Sequence, residues 1–395
     1  MQAGGTSCVF LDHDEDGDLD LFVVNYLIWS IESEKECFAG AGSRVYCNPN
    51  NYAAPQPDVL YRNDGEGSFT DVSESAGLRK TFGNGLGISC GDFDGDGWID
   101  MYVANDGMPN QLWINSGDGR FVDQALMRGC SVNSYGKTEA GMGVQALDGD
   151  HDGDLDLFLS HLRFETNTYY SNEGRWFDEV SARTGLSSTS YESTGFGLGF
   201  ADFDHDGALD LYVANGRVTF VEPPLDPVDV YAEPNQLFTS ATAGNTFEFN
   251  EVFPKGGTAE LGLNTSRGAA FGDLDNDGDV DIVVMNKDRR PYVLRNIAAK
   301  SGHWIAFRPI GETGGEALHS SIRIDAGGRR QFRLVQRAFG YCASHESRVH
   351  FGLGAAESVE TVTVNWGRGL SEAFGPFAAG QVHALRQGRG RPVDR

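Results

Sequence analysis

Five copies of one acidic nonapeptide constrain this chain more than any other feature. They read DHDEDGDLD from Asp12, DFDGDGWID from Asp92, DGDHDGDLD from Asp148, DFDHDGALD from Asp202 and DLDNDGDVD from Asp273. Each has aspartate at positions 1, 3, 5 and 9 and glycine at position 6. Four carboxylates in nine residues repel one another unless a cation neutralises them, and a flexible loop of carboxylates and carbonyls suits Ca²⁺. The expected side-chain ligands are Asp12, Asp14, Asp16 and Asp20; Asp92, Asp94, Asp96 and Asp100; Asp148, Asp150, Asp152 and Asp156; Asp202, Asp204, Asp206 and Asp210; and Asp273, Asp275, Asp277 and Asp281. Position 7 varies (Asp18, Trp98, Asp154, Ala208, Asp279), so its backbone carbonyl is the expected ligand. About five Ca²⁺ are expected, one per loop, with the glycine allowing the turn around each ion.

The residues after each loop exclude an EF-hand. That motif needs a glutamate at position 12 and flanking helices; here position 12 is Val23, Val103, Leu159, Val213 and Val284. The exits LDLFVV, IDMYVA, LDLFLS, LDLYVA and VDIVVM are β-branched and aromatic, and predict strands. The loops recur on a unit of about 55 residues, with insertions in the first and fourth intervals, and such long periods point to propellers or arrays. A glycine-flanked segment enters each loop and a strand leaves it. A hairpin such as Asn63-Asp64-Gly65 or Asn115-Ser116-Gly117 follows, and a last strand closes the unit. Four short strands per unit describe one propeller blade.

The repeats resemble the FG-GAP/VCBS blades of integrin-type propellers. The order of the strings EAGMG (139–143), HLRFETNTYYSN (161–172), ANGRV (214–218) and RGAAFGDLDNDGDVD (267–281) is similar to the cartilage acidic protein/UnbV family. That family joins such a propeller to a C-terminal ASPIC/UnbV domain, whose hallmarks are His303-Trp304, Val349-His350-Phe351-Gly352-Leu353-Gly354 and Val362-Thr363-Val364-Asn365-Trp366. The chain departs from the family pattern at Ser320-Ser321-Ile322-Arg323 and at Gly340-Tyr341-Cys342-Ala343-Ser344. Relatives carry about two further repeats upstream. The resemblance therefore implies a seven-bladed plan of which five repeats are present, or a ring that closes with fewer blades.

The expected fold is all-β: a calcium-binding β-propeller over 1–296, a small β-sandwich-like ASPIC/UnbV domain over 297–387 and a basic tail over 388–395. Strands are expected in the second domain at Trp304–Ile310, Ser321–Asp325, Gln331–Val335, Arg348–Gly352, Val359–Asn365 and Val382–Arg386. The net charge is −26, and five Ca²⁺ would bring it to about −16. This balance argues against a nucleic-acid partner. No apolar run reaches the length of a membrane span. Met1 to Phe10 do not read as a signal peptide, so the extracellular or periplasmic expectation rests on the calcium loops and the family resemblance. Of six cysteines, Cys37 and Cys47 are close enough to staple the first insertion; the scattered Cys8, Cys90, Cys130 and Cys342 are expected to be buried small residues. Oligomeric state is not readable.

Catalytic signatures are weak. Gly87-Ile88-Ser89-Cys90-Gly91 fits a nucleophile-elbow pattern but enters an acidic loop on a strand, not a strand-to-helix turn. Thirteen residues after each first aspartate stand Asn25, Asn105, His161, Asn215 and Asn286. The asparagines are expected to close a turn, and His161 breaks the series. The plainer reading gives it the same turn bond; the functional one places His161, Glu165 and Asn167 on a ligand face. The insertions, about 26–58 and 216–233, leave equivalent points of their blades and carry Trp29, Tyr46, Tyr52, Phe220 and Tyr231. They are expected on one face, where long loops either bind partners or pack as self-contained caps. Two function classes follow. One is a calcium-stabilised extracellular binding or adhesion protein for a carbohydrate, matrix or protein partner. The other is an enzyme or accessory of enediyne polyketide biosynthesis, which the UnbV resemblance implies.

Overall fold

The computed structural model describes residues 2–38, 42, 44–243, 246–367 and 369–393. Each acidic loop joins the first two strands of an antiparallel meander. The first sheet comprises Gln2–Leu11, Asp20–Trp29, Val59–Asn63 and Phe69–Asp71, and the second Gly85–Gly91, Asp100–Asn105, Gln111–Asn115 and Phe121–Asp123. The third uses Val144–Leu147, Asp156–Leu159, Thr168–Asn172 and Phe177–Glu179, and the fourth Gly195–Ala201, Asp210–Asn215, Gln236–Ala243 and Thr246–Glu251. The fifth has three strands, Ser266–Gly272, Asp281–Asn286 and Tyr292–Leu294.

The entry strands of successive sheets lie side by side, which gives a propeller-type arrangement. Ser7 Oγ donates to Leu86 O at 2.6 Å, Ala146 N to Ser89 Oγ at 3.0 Å, and Phe200 N to Gln145 Oε1 at 2.9 Å. Backbones meet closely here: a Cβ on Gly143 would stand 2.4 Å from Phe196 O. The core is a series of layers between adjacent sheets. Phe22, Val24 and Leu60 pack on Ile88, Val103 and Trp113; Tyr102 and Leu112 pack on Leu157 and Tyr170; Phe158 and Tyr169 on Leu198 and Leu211; and Tyr212 and Ala214 on Phe271 and Val284. Among the described residues, no strand pairing joins the fifth sheet to the first.

The C-terminal part has its own core, including Ile305, Phe307, Ile322, Ile324, Phe351 and Val364. A three-stranded sheet (Val349–Gly354, His303–Ile310, Val382–Arg386) accompanies a five-stranded one. The five strands are Arg329–Leu334, Ser321–Ala326, Val362–Gly367, Leu370–Phe374 and Arg391–Pro392. Residues 360–361 divide the expected strand Val359–Asn365, and Leu370–Phe374 is a strand outside the expected set. The basic tail is not free of the sheet, because Arg391 and Pro392 pair with Ala373 and Glu372.

Residues 336–341 leave this domain and run between the entry strands. Gln336 Nε2 donates to Ala146 O at 2.9 Å and Gly340 N to Val144 O at 2.7 Å. Tyr341 then meets Phe196 edge-on at 4.9 Å. The end of this thread, Gly340-Tyr341, begins one of the two stretches that depart from the family pattern. Cys37 and Cys47 are joined in a disulfide. Cys90 and Cys130 are buried as expected, but Cys8 and Cys342 are exposed. Cys342 Sγ lies 3.3 Å from Thr6 O, where the thread crosses the first strand.

Candidate functional site

The acidic loops share one backbone path. Their position-6 glycines all have positive φ (Gly17 +102°, Gly97 +97°, Gly153 +100°, Gly207 +91°, Gly278 +95°), the conformation expected from sequence. Position 4 is also left-handed, at Glu15, Gly95, His151, His205 and Asn276. The sequence pattern does not mark this second turn, because position 4 varies in type between Glu, Gly, His and Asn.

Position 1 organises the loop from inside. Asp202 Oδ1 accepts from Asp206 N at 3.1 Å and its Oδ2 from Gly207 N at 2.8 Å, and Asp92 and Asp273 repeat the pattern. Position 9 anchors it to the sheet. Asp100 accepts from Phe93 N at 2.9 Å and Asn115 N at 2.8 Å. Asp20, Asp156, Asp210 and Asp281 each make the corresponding pair of bonds. Adjacent blades are then tied through the loops, because Asn115, Asn172 and Asn296 donate their side-chain amides to His13, Phe93 and Phe203 carbonyls.

Carboxylate oxygens sharing one Ca²⁺ at 2.3–2.6 Å lie within about 5 Å of one another. Asp12, Asp14 and Asp16 satisfy this, with ligand atoms mutually within 4.8 Å, as do Asp92, Asp94 and Asp96; Asp148, Asp150 and Asp156; and Asp202, Asp204 and Asp206. Buried Asp148 also has an Oδ1 without a hydrogen-bond partner. These donor sets fit a hard divalent cation. Burial pushes Asp148 and Asp202 up to about 7, and Asp100 and Asp210 up to about 8, with neighbouring aspartates adding to the rise. Side-chain cations reach two of the loops: Arg128 lies 3.0 Å from Asp94 in the second, and in the fifth Arg295 reaches Asp275 at 2.7 Å and Asp277 at 3.0 Å, while Lys300 reaches Asp279 at 3.0 Å.

The C-terminal domain docks on this end of the blades by contacting loop backbones. Arg329 Nη1 donates to Asp206 O at 2.9 Å, Arg348 Nη2 to Asp273 O at 2.8 Å, and Gly354 N to His205 O at 3.0 Å. His350 Nε2 bonds Gly278 O at 2.9 Å.

The strands carry the insertions to the opposite end. Both lie on one face, as expected: Tyr231 OH donates to Arg44 O at 3.2 Å, and the Tyr46 and Tyr231 rings are 5.4 Å apart. They wall a cavity of about 890 Å³. Trp29, Tyr46, Tyr52 and Tyr231 line its sides, and Phe196, Arg267, Tyr341, Tyr26 and Asp106 its inner end. Tyr26 OH donates to Asp106 Oδ2 at 2.6 Å, while burial raises the Asp106 carboxyl pKa. Thus the thread from the C-terminal domain completes a cavity built by the blades.

The asparagine series behaves as turn closure: Asn25, Asn105, Asn215 and Asn286 donate side-chain amides to the carbonyls of Pro57, Pro109, Pro234 and Arg290. His161 does not. Its ring is buried, neither nitrogen has a hydrogen-bond partner, and burial pushes its pKa down to about 4. Asn167 is a turn residue, its Oδ1 accepting from His161 N at 3.1 Å. Glu165 accepts from Ala140 N at 2.9 Å, and burial holds it up at about 7. None of these three lines the insertion-face cavity.

Residues 45–103, 92–159 and 148–213 match the FG-GAP-like repeat model, and residues 312–392 match the model described as ASPIC and UnbV. Cartilage acidic protein 1 of Xenopus tropicalis is 29% identical over 185 residues, covering 45% of this chain and 27% of that protein. The Mus musculus protein of the same name is 29% identical over 191 residues, with the same coverage of 45% and 27%. The match therefore spans about a quarter of the length of these relatives. Among solved structures, an Agrocybe aegerita lectin that recognises non-reducing terminal N-acetylglucosamine aligns at 16% identity and TM-score 0.36, covering 74% of this chain and 81% of that one. A Bacteroides thetaiotaomicron endo-arabinase aligns at 11% identity and TM-score 0.33, covering 75% and 95%.

Proposed function

The chain belongs to the family that joins FG-GAP-like repeats to an ASPIC/UnbV segment, and from that premise we propose that it is a calcium-stabilised, extracellular-type binding protein. Ca²⁺ is held by the aspartates at positions 1, 3, 5 and 9 of each loop and by the position-7 carbonyl. The ions replace mutual repulsion with cross-linking and fix the blade ends on which the C-terminal domain sits. The insertion face is offered to a carbohydrate, matrix or protein partner.

The observation that carries this reading is the separation of the two ends. The acidic loops are tied into the sheets by buried position-9 carboxylates, whereas the insertions build an accessible aromatic cavity at the other end. The extracellular part draws support from the Cys37–Cys47 disulfide, which stands in that insertion, and from the cartilage acidic protein relatives. No helix among the described residues is long and apolar enough to cross a membrane. The test is a binding screen against glycans and matrix proteins, using the full chain and a variant lacking residues 31–51. Loss of binding with an unchanged calcium-dependent melting temperature is expected; full retention by the deletion would remove the insertion face from the function.

A further inference from the structure

The insertion-face cavity holds a cation without a counter-ion. Arg267 stacks on the Phe196 ring at 4.1 Å, and its terminal nitrogens are taken by main-chain carbonyls. Nη1 donates to Gly216 O at 2.9 Å and Ser266 O at 2.8 Å, and Nη2 to Arg217 O at 3.1 Å. Among the described residues no carboxylate lies within ion-pair distance of it, whereas neighbouring Arg217 pairs with Glu233 at 2.8 Å. Three of its five N–H groups are therefore used. The Nε–H and one Nη2–H remain, two donors with which a guanidinium can receive a carboxylate. A half-buried cation left unpaired is costly, so its retention beside a cavity in a chain of net charge −26 is informative.

We propose that this cavity binds a carboxylate-bearing saccharide of uronic-acid type, its carboxylate on the free N–H groups of Arg267 and its ring against the aromatic wall. The inference rests on the insertion face being the binding face and adds the ligand class. Arg44 also lines the cavity but pairs with Glu36 at 3.5 Å, which leaves Arg267 as the guanidinium without a carboxylate partner. With the Asp106 carboxyl in the same lining, a monoanion suits the site better than a phosphate dianion, which would meet that carboxyl with a second charge. The remaining lining fits sugar more than an aromatic acid. Trp29 and Tyr46, 40% and 44% exposed, offer flat surfaces to C–H faces, while Asp106, Tyr26, Glu34 and Asn48 supply partners for hydroxyls. Tyr341 closes the inner end, so the site needs the C-terminal segment.

Calorimetry on the calcium-saturated full chain tests this with tetramers of galacturonate and glucuronate and with their methyl esters. An acid tetramer is expected to bind, and its neutral ester at least tenfold more weakly. Arg267→Lys, which keeps the charge and loses the guanidinium, is expected to weaken the acid at least tenfold. If that variant does not fold, the acid-to-ester ratio on the unmodified chain decides. Equal binding of acid and ester, or binding of neutral glycans alone, overturns the carboxylate assignment while leaving a binding module in place. Binding of benzoate-type acids but no saccharide overturns the sugar assignment, and binding of neither class overturns the proposal. Failure of the insertion-face reading is a separate result, namely an intact acid-tetramer affinity in the 31–51 deletion.

Discussion

Gly340 donates its N–H to the carbonyl of Val144 across the axis of the blades, at 2.7 Å. The thread reaches this point with φ +68°, and a Cβ there would stand 2.9 Å from Leu198 O. Glycine is therefore required twice, for conformation and for space. Gly340→Ala is expected to cost about 1–2 kcal/mol for the backbone alone, with a further loss as the thread withdraws from the cavity. Gly380→Ala is the control, since Gly380 has φ +75° with nothing within 4 Å of its Cβ position. Thermal unfolding should show the larger drop for position 340, and weaker ligand binding for it alone. Equal drops would mean that the channel is not packed around the thread.

His13 Nδ1 lies 2.5 Å from Asp20 Oδ2, an ion pair absent from the other loops, where position 2 is Phe93, Gly149, Phe203 or Leu274. Burial pushes the His13 pKa down, but the hydrogen bond and charge of Asp20 outweigh it and hold it above 6.5. Against its own burial, Asp20 is held below 3.8 by His13 and by backbone N–H groups. The imidazolium contributes stability below about pH 6.5, lost as pH rises through its raised folded value. The carboxylate contributes above about pH 4, lost as pH falls through its lowered one. His13→Phe should therefore lower the metal-free melting temperature more at pH 5.5 than at pH 8.5. A drop independent of pH would show that packing, not charge, sets the role of His13.

In the second, third and fourth loops, buried carboxyls carry the sign opposite to Asp20. Burial holds the folded Asp100 and Asp210 up at about 8 and Asp148 at about 7, far above an unfolded aspartate near 3.8. The folded chain then binds more protons than the unfolded one between about pH 4 and pH 8, so metal-free stability should fall as pH rises through that window. Bound calcium should flatten the slope, because it replaces the proton as the counter-charge and binds only the folded state. Melting curves in EDTA and in calcium from pH 5 to 8.5 check this, alongside metal analysis for about one Ca²⁺ per loop. Parallel curves, or zinc in place of calcium, would contradict it.

The sequence made the repeat legible because each nonapeptide is a local object: its aspartates, its glycine and the strand that follows lie within about 15 residues. The same locality explains the Cys37–Cys47 pair and the shared face of the two insertions. What escaped was long-range. Nothing near Gly340 says that it will lie beside Val144, nor anything near Arg267 that its partners will be the carbonyls of Gly216 and Arg217. His161 shows the limit from the other side. A break in an internal series marked it, yet the structure gives it neither the asparagine's turn bond nor a place on the cavity wall. Asn167, read as a ligand residue, is needed by the backbone.

Asp210 separates the structural and ionic roles of a loop aspartate. Its Oδ1 accepts from Ser240 N at 3.0 Å and its Oδ2 from Phe203 N at 3.1 Å, so the carboxylate joins loop to sheet without an ion. In Asp210→Asn one acceptor becomes an NH₂ facing a backbone N–H. A lost bond and an unsatisfied donor cost about 1–3 kcal/mol, so the melting temperature should fall even in EDTA. Asp204 has no such anchoring pair and is repelled by Asp206. Asp204→Asn should leave the EDTA melting temperature unchanged or higher, and lose only the calcium-induced rise. Because Asn296 Nδ2 bonds Phe203 O at 2.9 Å, the Asp210 defect should spread to the fifth sheet, which hydrogen exchange would detect. Ligand affinity at the far cavity should survive both substitutions in calcium. If Asp210→Asn abolished binding without altering the calcium-saturated melting temperature, the ion would belong to a functional site, and the assignment of function to the insertion face would fail.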